Sequence, residues 1–83
     1  MPTLHIENGI KVECFSGDHP PPHVHVSYGE HEDLIIINSA DIYEGDLPIR
    51  KRKLAIAYVA ENKEFLLRTF LFLNPQLARN ENK

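Results

Sequence analysis

Three of the chain's five histidines and three of its six prolines stand in the segment Asp18–Val26, which reads DHPPPHVHV. Imidazole binds transition metals and exchanges protons near neutral pH, and proline fixes the backbone angle φ. The segment therefore predicts a stiff turn that presents chemically capable side chains. Three uses of this turn are compatible with the sequence.

The first use is metal binding. His19, His23 and His25 could ligate one divalent transition metal ion, with Asp18 or Glu30 as a fourth ligand. Imidazoles two residues apart on a strand point to the same face, and a water in an open coordination position would support hydrolysis. The spacing is less selective than that of paired Cys-x-x-Cys knuckles.

The second use is work on nucleic acid. Arg50–Lys53 places four cations at the start of a predicted helix, where Arg50 and Arg52 could bind phosphate. Phe15 would offer a stacking face, and the histidines could act as general acid and base in a ribonuclease that needs no metal. The same basic run is also typical of a solvated helical turn near acidic residues.

The third use is structural. Asp18 can close an Asx-turn, the prolines stiffen the crossing between two strands, and His23 can hydrogen-bond across the loop. Function would then be protein binding, through an open face or an edge strand of the sheet.

Composition limits these uses. The chain has 83 residues, 42% of them hydrophobic and 25% charged, which is typical of one folded domain. The net charge of −3 gives no global attraction to nucleic acid. Cys14 is the only cysteine and is expected to be an inert buried thiol in a reducing compartment. Neither a signal peptide nor a membrane-spanning run is visible, so we expect a cytoplasmic domain over residues 1–77 and a flexible tail over 78–83.

Alternating apolar residues predict strands in the first half. Between the first two strands we expect the three-residue loop Glu7–Gly9 with a bulge, because it pairs Ile6 with Ile10 and keeps apolar side chains on one face. A third strand, His23–Tyr28, alternates histidine and valine, so its first two histidines face away from its valines. The unbroken apolar run Leu34–Ile37 predicts a central strand covered on both faces.

The second half is predicted to be helical. A first helix, Ile49–Ala60, is expected to be mostly buried, and Asn62 is a candidate N-cap for a second helix, Lys63–Leu73. Asn74-Pro75 ends that helix, and Phe72 lies outside its main apolar stripe, which suggests a partner contact. Strands followed by helices indicate an α+β fold, a small antiparallel sheet of about four strands with two C-terminal helices packed on one face.

The histidine–proline segment also carries a family resemblance. DHPPPHVHV at 18–26, YGE at 28–30 and GDLP at 45–48 resemble the motifs of the bacterial domain of unknown function 4160 family, over about Ile10 to Phe70. The family usually has a tryptophan in each helix, where this chain has Tyr58 and Phe70. Its genes often adjoin those of the domain of unknown function 2442 family, an arrangement similar to a toxin–antitoxin pair. The resemblance implies a small protein partner and no established activity.

We therefore expect a small binding module that acts with a partner protein in a toxin–antitoxin-like gene pair. Partner or phosphate contacts are expected at Phe15, Asp18, Arg50 and Arg52. The alternative is a small nuclease or metal-dependent hydrolase that uses the three histidines of the turn.

Overall fold

Five strands precede two helices in the computed structural model, which describes residues 3–15 and 20–76. The elements are β1 (Thr3–Glu7), β2 (Ile10–Glu13), β3 (His23–Tyr28), β4 (His31–Ile36), β5 (Ile42–Gly45), α1 (Ile49–Glu61) and α2 (Lys63–Leu73). The fold is α+β as predicted, with five strands rather than about four, because Ile42–Gly45 also pairs with β4. The predicted tail over 78–83 lies outside the described residues.

The strands form one antiparallel sheet in chain order, and both helices pack on one of its faces. That face carries buried apolar residues from β2, β3 and β4 and from the segments that follow them. The core consists of Ile10, Val12, Cys14, Val24, Val26, Ile35, Ile37, Leu47, Ala55, Val59, Leu66 and Phe70. The valines of β3 lie in the core as predicted, and so does the thiol of Cys14. No helix in the described part of the chain is long and apolar enough to cross a membrane.

The turn between β1 and β2 differs from the prediction. Ile6 lies opposite Lys11, so the loop has two residues, Asn8 and Gly9, with φ of 56° and 80°. Asn-Gly suits such a turn because both residues tolerate positive φ. The irregularity lies instead in β1, between Thr3 and His5, and Ile6 is left 67% exposed. The predicted three-residue loop is therefore wrong.

Helix α1 is less buried than predicted. Ala55 and Val59 are buried in α1, while Leu54 is exposed, because this helix contacts the sheet along a single stripe. Asn62 occupies the N-cap position of α2, as predicted, but its side chain makes no capping hydrogen bond to that helix. Its side-chain Nδ2 donates to the carbonyl of Tyr58 (2.9 Å), and the side chain therefore closes the end of α1. The buried Asn74 closes α2 in the same way.

A buried carboxylate joins the sheet to α1. Asp33 lies opposite Val26 on the helix-covered face and has no exposed surface. Its Oδ2 accepts from Nε of Arg52 (2.8 Å), and its Oδ1 accepts from Nη2 of Arg52 (3.0 Å) and from the backbone N–H of Leu47 (3.1 Å). The hydrogen bonds to Asp33 raise the pKa of the Arg52 guanidinium above its usual value.

Gly45 lies opposite Asp33 and makes room for this ion pair. Its φ is +149°, and a Cβ there would collide with the Asp33 carboxylate and with the carbonyl of Glu32. Its own carbonyl accepts from Nη2 of Arg52 (3.2 Å). A side chain at this position would therefore displace the carboxylate from its partners.

Arg52→Met is expected to lower the free energy of unfolding by about 2–4 kcal/mol, because it leaves a buried carboxylate without its cation. Arg50→Met, an exposed arginine in the same basic run, should change it by less than about 0.5 kcal/mol. Urea unfolding measures both. Equal effects of the two substitutions would show that the buried pair does not stabilise the fold.

Gly45→Ala is expected to cost more than about 2 kcal/mol, since it combines an unfavourable φ with a collision in the core. Gly29→Ala is the matched control. Gly29 also has a positive φ, +61°, but nothing lies within 4 Å of its added Cβ. This substitution should cost only about 1 kcal/mol, and a thermal melt of each variant that gave the same loss would contradict the steric argument.

Candidate functional surface on the sheet

The face of the sheet opposite the helices, here called the open face, carries its side chains in three crosswise rows. Residues directly opposite one another on neighbouring strands share a face, so the register defines each row. The rows are Ile6, Lys11, Ser27 and Glu32; Glu13, His25, Leu34 and Glu44; and His23 and Ile36. The first row holds one ion of each sign beside the exposed Ile6, and apolar and imidazole groups dominate the third.

A small cleft of about 50 Å³ opens beside the third row, here called the proline cleft. It is lined by Pro20, Pro21, His23, Leu34, Ile36 and Tyr43. Tyr43 reaches it because the register shifts there: Glu44 pairs with Leu34 and Ile42 with Ile35, which leaves Tyr43 unpaired in a bulge. Its side chain is 64% exposed at the edge of the cleft. Pro20 and Pro21 of the histidine–proline segment thus form one wall of the proline cleft.

His23 is held at the base of this cleft and is only 9% exposed. Its Nδ1 lies 2.8 Å from the carbonyl oxygen of Pro21, which can only accept, so Nδ1 carries the proton and donates it. Its ring lies 5.7 Å, centroid to centroid, from the core ring of Phe70. The observed hydrogen bond is local, to a carbonyl two residues earlier, rather than one across the loop as predicted. The His23 side chain links the core to the cleft.

His25 lies half-buried in the middle of the open face. Its ring meets the edge of the Phe15 ring with centroids 4.5 Å apart, and the His23 ring lies 5.2 Å away. Nδ1 of His25 is 3.4 Å from Oε2 of Glu32. Of the predicted site residues, the structure therefore brings Phe15, His23 and His25 together.

The predicted metal site is not assembled by the residues in view. Asp18 and His19 lie outside the described residues, and Glu30 stands in the turn at the far end of β3 from His23. Within ranges 3–15 and 20–76, no three His, Cys, Asp or Glu side chains converge so as to hold a metal ion. Metal binding through His19 stays a prediction.

The basic run lies on the other side of the sheet. Arg52 is bound to Asp33 beneath α1, and Nζ of Lys51 donates to the carbonyl of Asn8 (3.0 Å) and lies 4.7 Å from the Tyr28 ring centroid. Arg50 is exposed near the start of the same helix. Neither arginine joins His23 or His25 in one site, so the described part of the chain separates the basic run from these two histidines. An aspartate within an apolar strand was the one sequence signal for the role of Arg52.

The GDLP motif forms the corner between β5 and α1. Oδ1 of Asp46 accepts from the backbone N–H of Glu32 (3.1 Å), and Oδ2 lies 3.2 Å from Nδ1 of His31. The backbone hydrogen bond from Glu32, followed by that from His31, lowers the pKa of the Asp46 carboxyl. The motif therefore has a structural role, in which its glycine and leucine serve the buried carboxylate of β4.

A second exposed apolar surface lies on α2. Phe72, expected to fall outside the main apolar stripe, is 81% exposed, and Phe65, seven residues earlier, shares its side of the helix. This surface faces away from the sheet. It is separate from the open face and the proline cleft.

The profile of the family described as Domain of unknown function (DUF4160) matches residues 9–70. This is most of the chain, from β2 to the last buried residue of α2, so the chain belongs to that family. No curated protein and no solved structure matches the chain.

His23→Ala is expected to lower the free energy of unfolding by about 1–3 kcal/mol, because the Pro21 carbonyl loses its donor and the Phe70 ring loses a contact. His23→Asn should recover part of this loss, since its amide can donate from nearly the same place. His25→Ala, at the half-buried neighbour, is the control and should cost less. Chemical denaturation that finds His23→Ala as stable as the wild type would contradict the structural role.

Proposed function

We propose that the chain is a small protein-binding module whose open face contacts a partner protein in a toxin–antitoxin-like gene pair. One observation carries this proposal: the apolar run of β4 has only one of its faces covered by the described helices. Leu34 and Ile36 point to the other face, where they remain only partly buried. Apolar strand residues on an uncovered face, rimmed by polar groups, are typical of an interaction site.

The proline cleft supports the same proposal. It places a mostly exposed tyrosine beside two aliphatic side chains, and tyrosine is among the residues that contribute most to binding energy at protein interfaces. A peptide or loop seated there would also cover His25 and Phe15. The family resemblance supplies the kind of partner, a small protein encoded by the adjacent gene, and a lone thiol suits the cytoplasm.

An enzymatic role has less support in the geometry. His23 is engaged with the Pro21 carbonyl and packed against the core, and Arg52 neutralises a buried carboxylate on the opposite side of the sheet. A nuclease would need an imidazole and a phosphate-binding cation in one place. The described residues separate these groups.

Co-expression with the product of the neighbouring gene tests the proposal. The two proteins are expected to elute together in size-exclusion chromatography. Tyr43→Ala should weaken the complex by about tenfold or more, because it removes the exposed aromatic ring of the cleft. Phe72→Ala removes a more exposed aromatic ring, from α2, and should leave the affinity unchanged.

Two results would contradict the proposal. A chain that elutes as a free monomer in the presence of the neighbouring protein excludes that partner. Loss of affinity in Phe72→Ala but not in Tyr43→Ala would move the contact to the outer surface of α2. Titration calorimetry on the purified proteins provides the affinities.

A further inference from the structure

We infer that the open face binds a cationic segment, in which one apolar side chain enters the proline cleft and flanking lysine or arginine residues contact carboxylates of β4 and β5. This inference rests on the proposed function and specifies the chemistry of its partner. It is supported by the distribution of charge, the position of the cleft and the poor fit of other occupants.

Charge is divided sharply between the two halves of the chain. Residues 1–49 contain nine acidic residues and a single basic one, whereas residues 50–83 contain three acidic and eight basic ones. The first half supplies the sheet and the second supplies the helices. The described helices cover one face only, so their cations lie on the side of the sheet away from the open face.

The open face keeps its negative charge. Three glutamates stand in its first two rows, Glu13, Glu32 and Glu44, against the one cation Lys11. Nζ of Lys11 is 3.9 Å from Oε2 of Glu13, so this cation is already matched. Glu44 is exposed, and more than half of the Glu32 side chain is exposed. A partner with lysine or arginine would find complementary charge at these two positions.

The carboxylates border the apolar cleft directly. Glu44 pairs with Leu34, which lines the cleft, and adjoins Tyr43 in the chain. A ligand that places an aliphatic side chain in the cleft therefore has its neighbouring residues beside the Glu44 carboxylate. The surface fits an alternation of apolar and basic residues better than either type alone.

Other occupants fit less well. A nucleic acid would bring phosphates against three carboxylates, which is unfavourable. Two copies that met through their open faces would oppose like charges. A second copy could instead present its basic helices, and self-association in the absence of any ligand is therefore an outcome that the experiment must detect.

The experiment is a titration of the ¹⁵N-labelled full chain, followed by amide chemical shifts, with three capped pentapeptides: KLKLK, ELELE and KSKSK. KLKLK should shift the amides of Leu34, Ile36 and Tyr43, and its affinity should fall severalfold as sodium chloride is raised from about 50 to about 300 mM. ELELE tests the sign of charge, and KSKSK tests the need for an apolar side chain.

Charge reversal supplies the matched control. Glu44→Lys should weaken KLKLK binding by about tenfold, and Glu44→Gln by less, because the neutral variant removes attraction without adding repulsion. Glu64→Lys makes the same change at an exposed position of α2 and should leave binding as in the wild type.

Three results would overturn the inference. The first is that ELELE changes the amide chemical shifts as much as KLKLK does, and the second is that the changes are confined to α2. The third is that the shifts of the cleft residues depend on protein concentration without peptide, which would assign the face to a second copy. In the complex with the neighbouring protein, sensitivity to Tyr43→Ala without sensitivity to Glu44→Lys overturns the cationic partner and leaves the proposed function standing. Absence of that complex overturns the proposed function itself.

Discussion

The buried ion pair between Asp33 and Arg52 determines how the two halves of this chain fit together. A carboxylate with no exposed surface requires a cation and hydrogen-bond donors, and those within reach come from α1 and the segment before it. The pair also fixes the orientation of β4. Side chains alternate along a strand, so the parity that turns Asp33 toward the helices turns its neighbours Glu32 and Leu34 toward the open face. The composition of that face follows from the position of one aspartate.

The family motifs meet at the same strand from opposite sides. Gly45, opposite Asp33, leaves space for the carboxylate, while the proline segment lines a cleft with the side chains of Leu34 and Ile36. One motif thus secures the helix-covered face of β4, and the other shapes its open face. This division explains why the residues of the GDLP motif are bound to other parts of the fold, whereas Tyr43 at the edge of the proline cleft is exposed.

The sequence predicts the bounds of a strand or helix correctly where a single hydrophobic period dominates the segment. The bounds of β3 and α2 match the prediction because valines at every second position, and leucine and phenylalanine at helical spacing, leave little choice of face. The β1–β2 register differs from the prediction because an irregularity between Thr3 and His5 allows the two-residue turn. An aspartate in an apolar strand signals that Asp33 needs a cation, but it does not indicate that Arg52 supplies it, since this depends on how α1 crosses β4. The burial of His23 depends in the same way on the end of α2.

The apolar run of β4 departs from its prediction of a strand covered on both faces, and the difference is informative. Leu34–Ile37 has the composition of a strand with both faces covered, yet the described helices cover only one. Their cations compensate the acidic strands on that side, most directly through Arg52 at Asp33, and leave Glu32 and Glu44 on the other side. The open face therefore lacks the apolar layer that the covered face has, and Lys11 is the one lysine or arginine in its three rows. A ligand that supplied an apolar layer and positive charge would complete the sheet as the helices do on the opposite side.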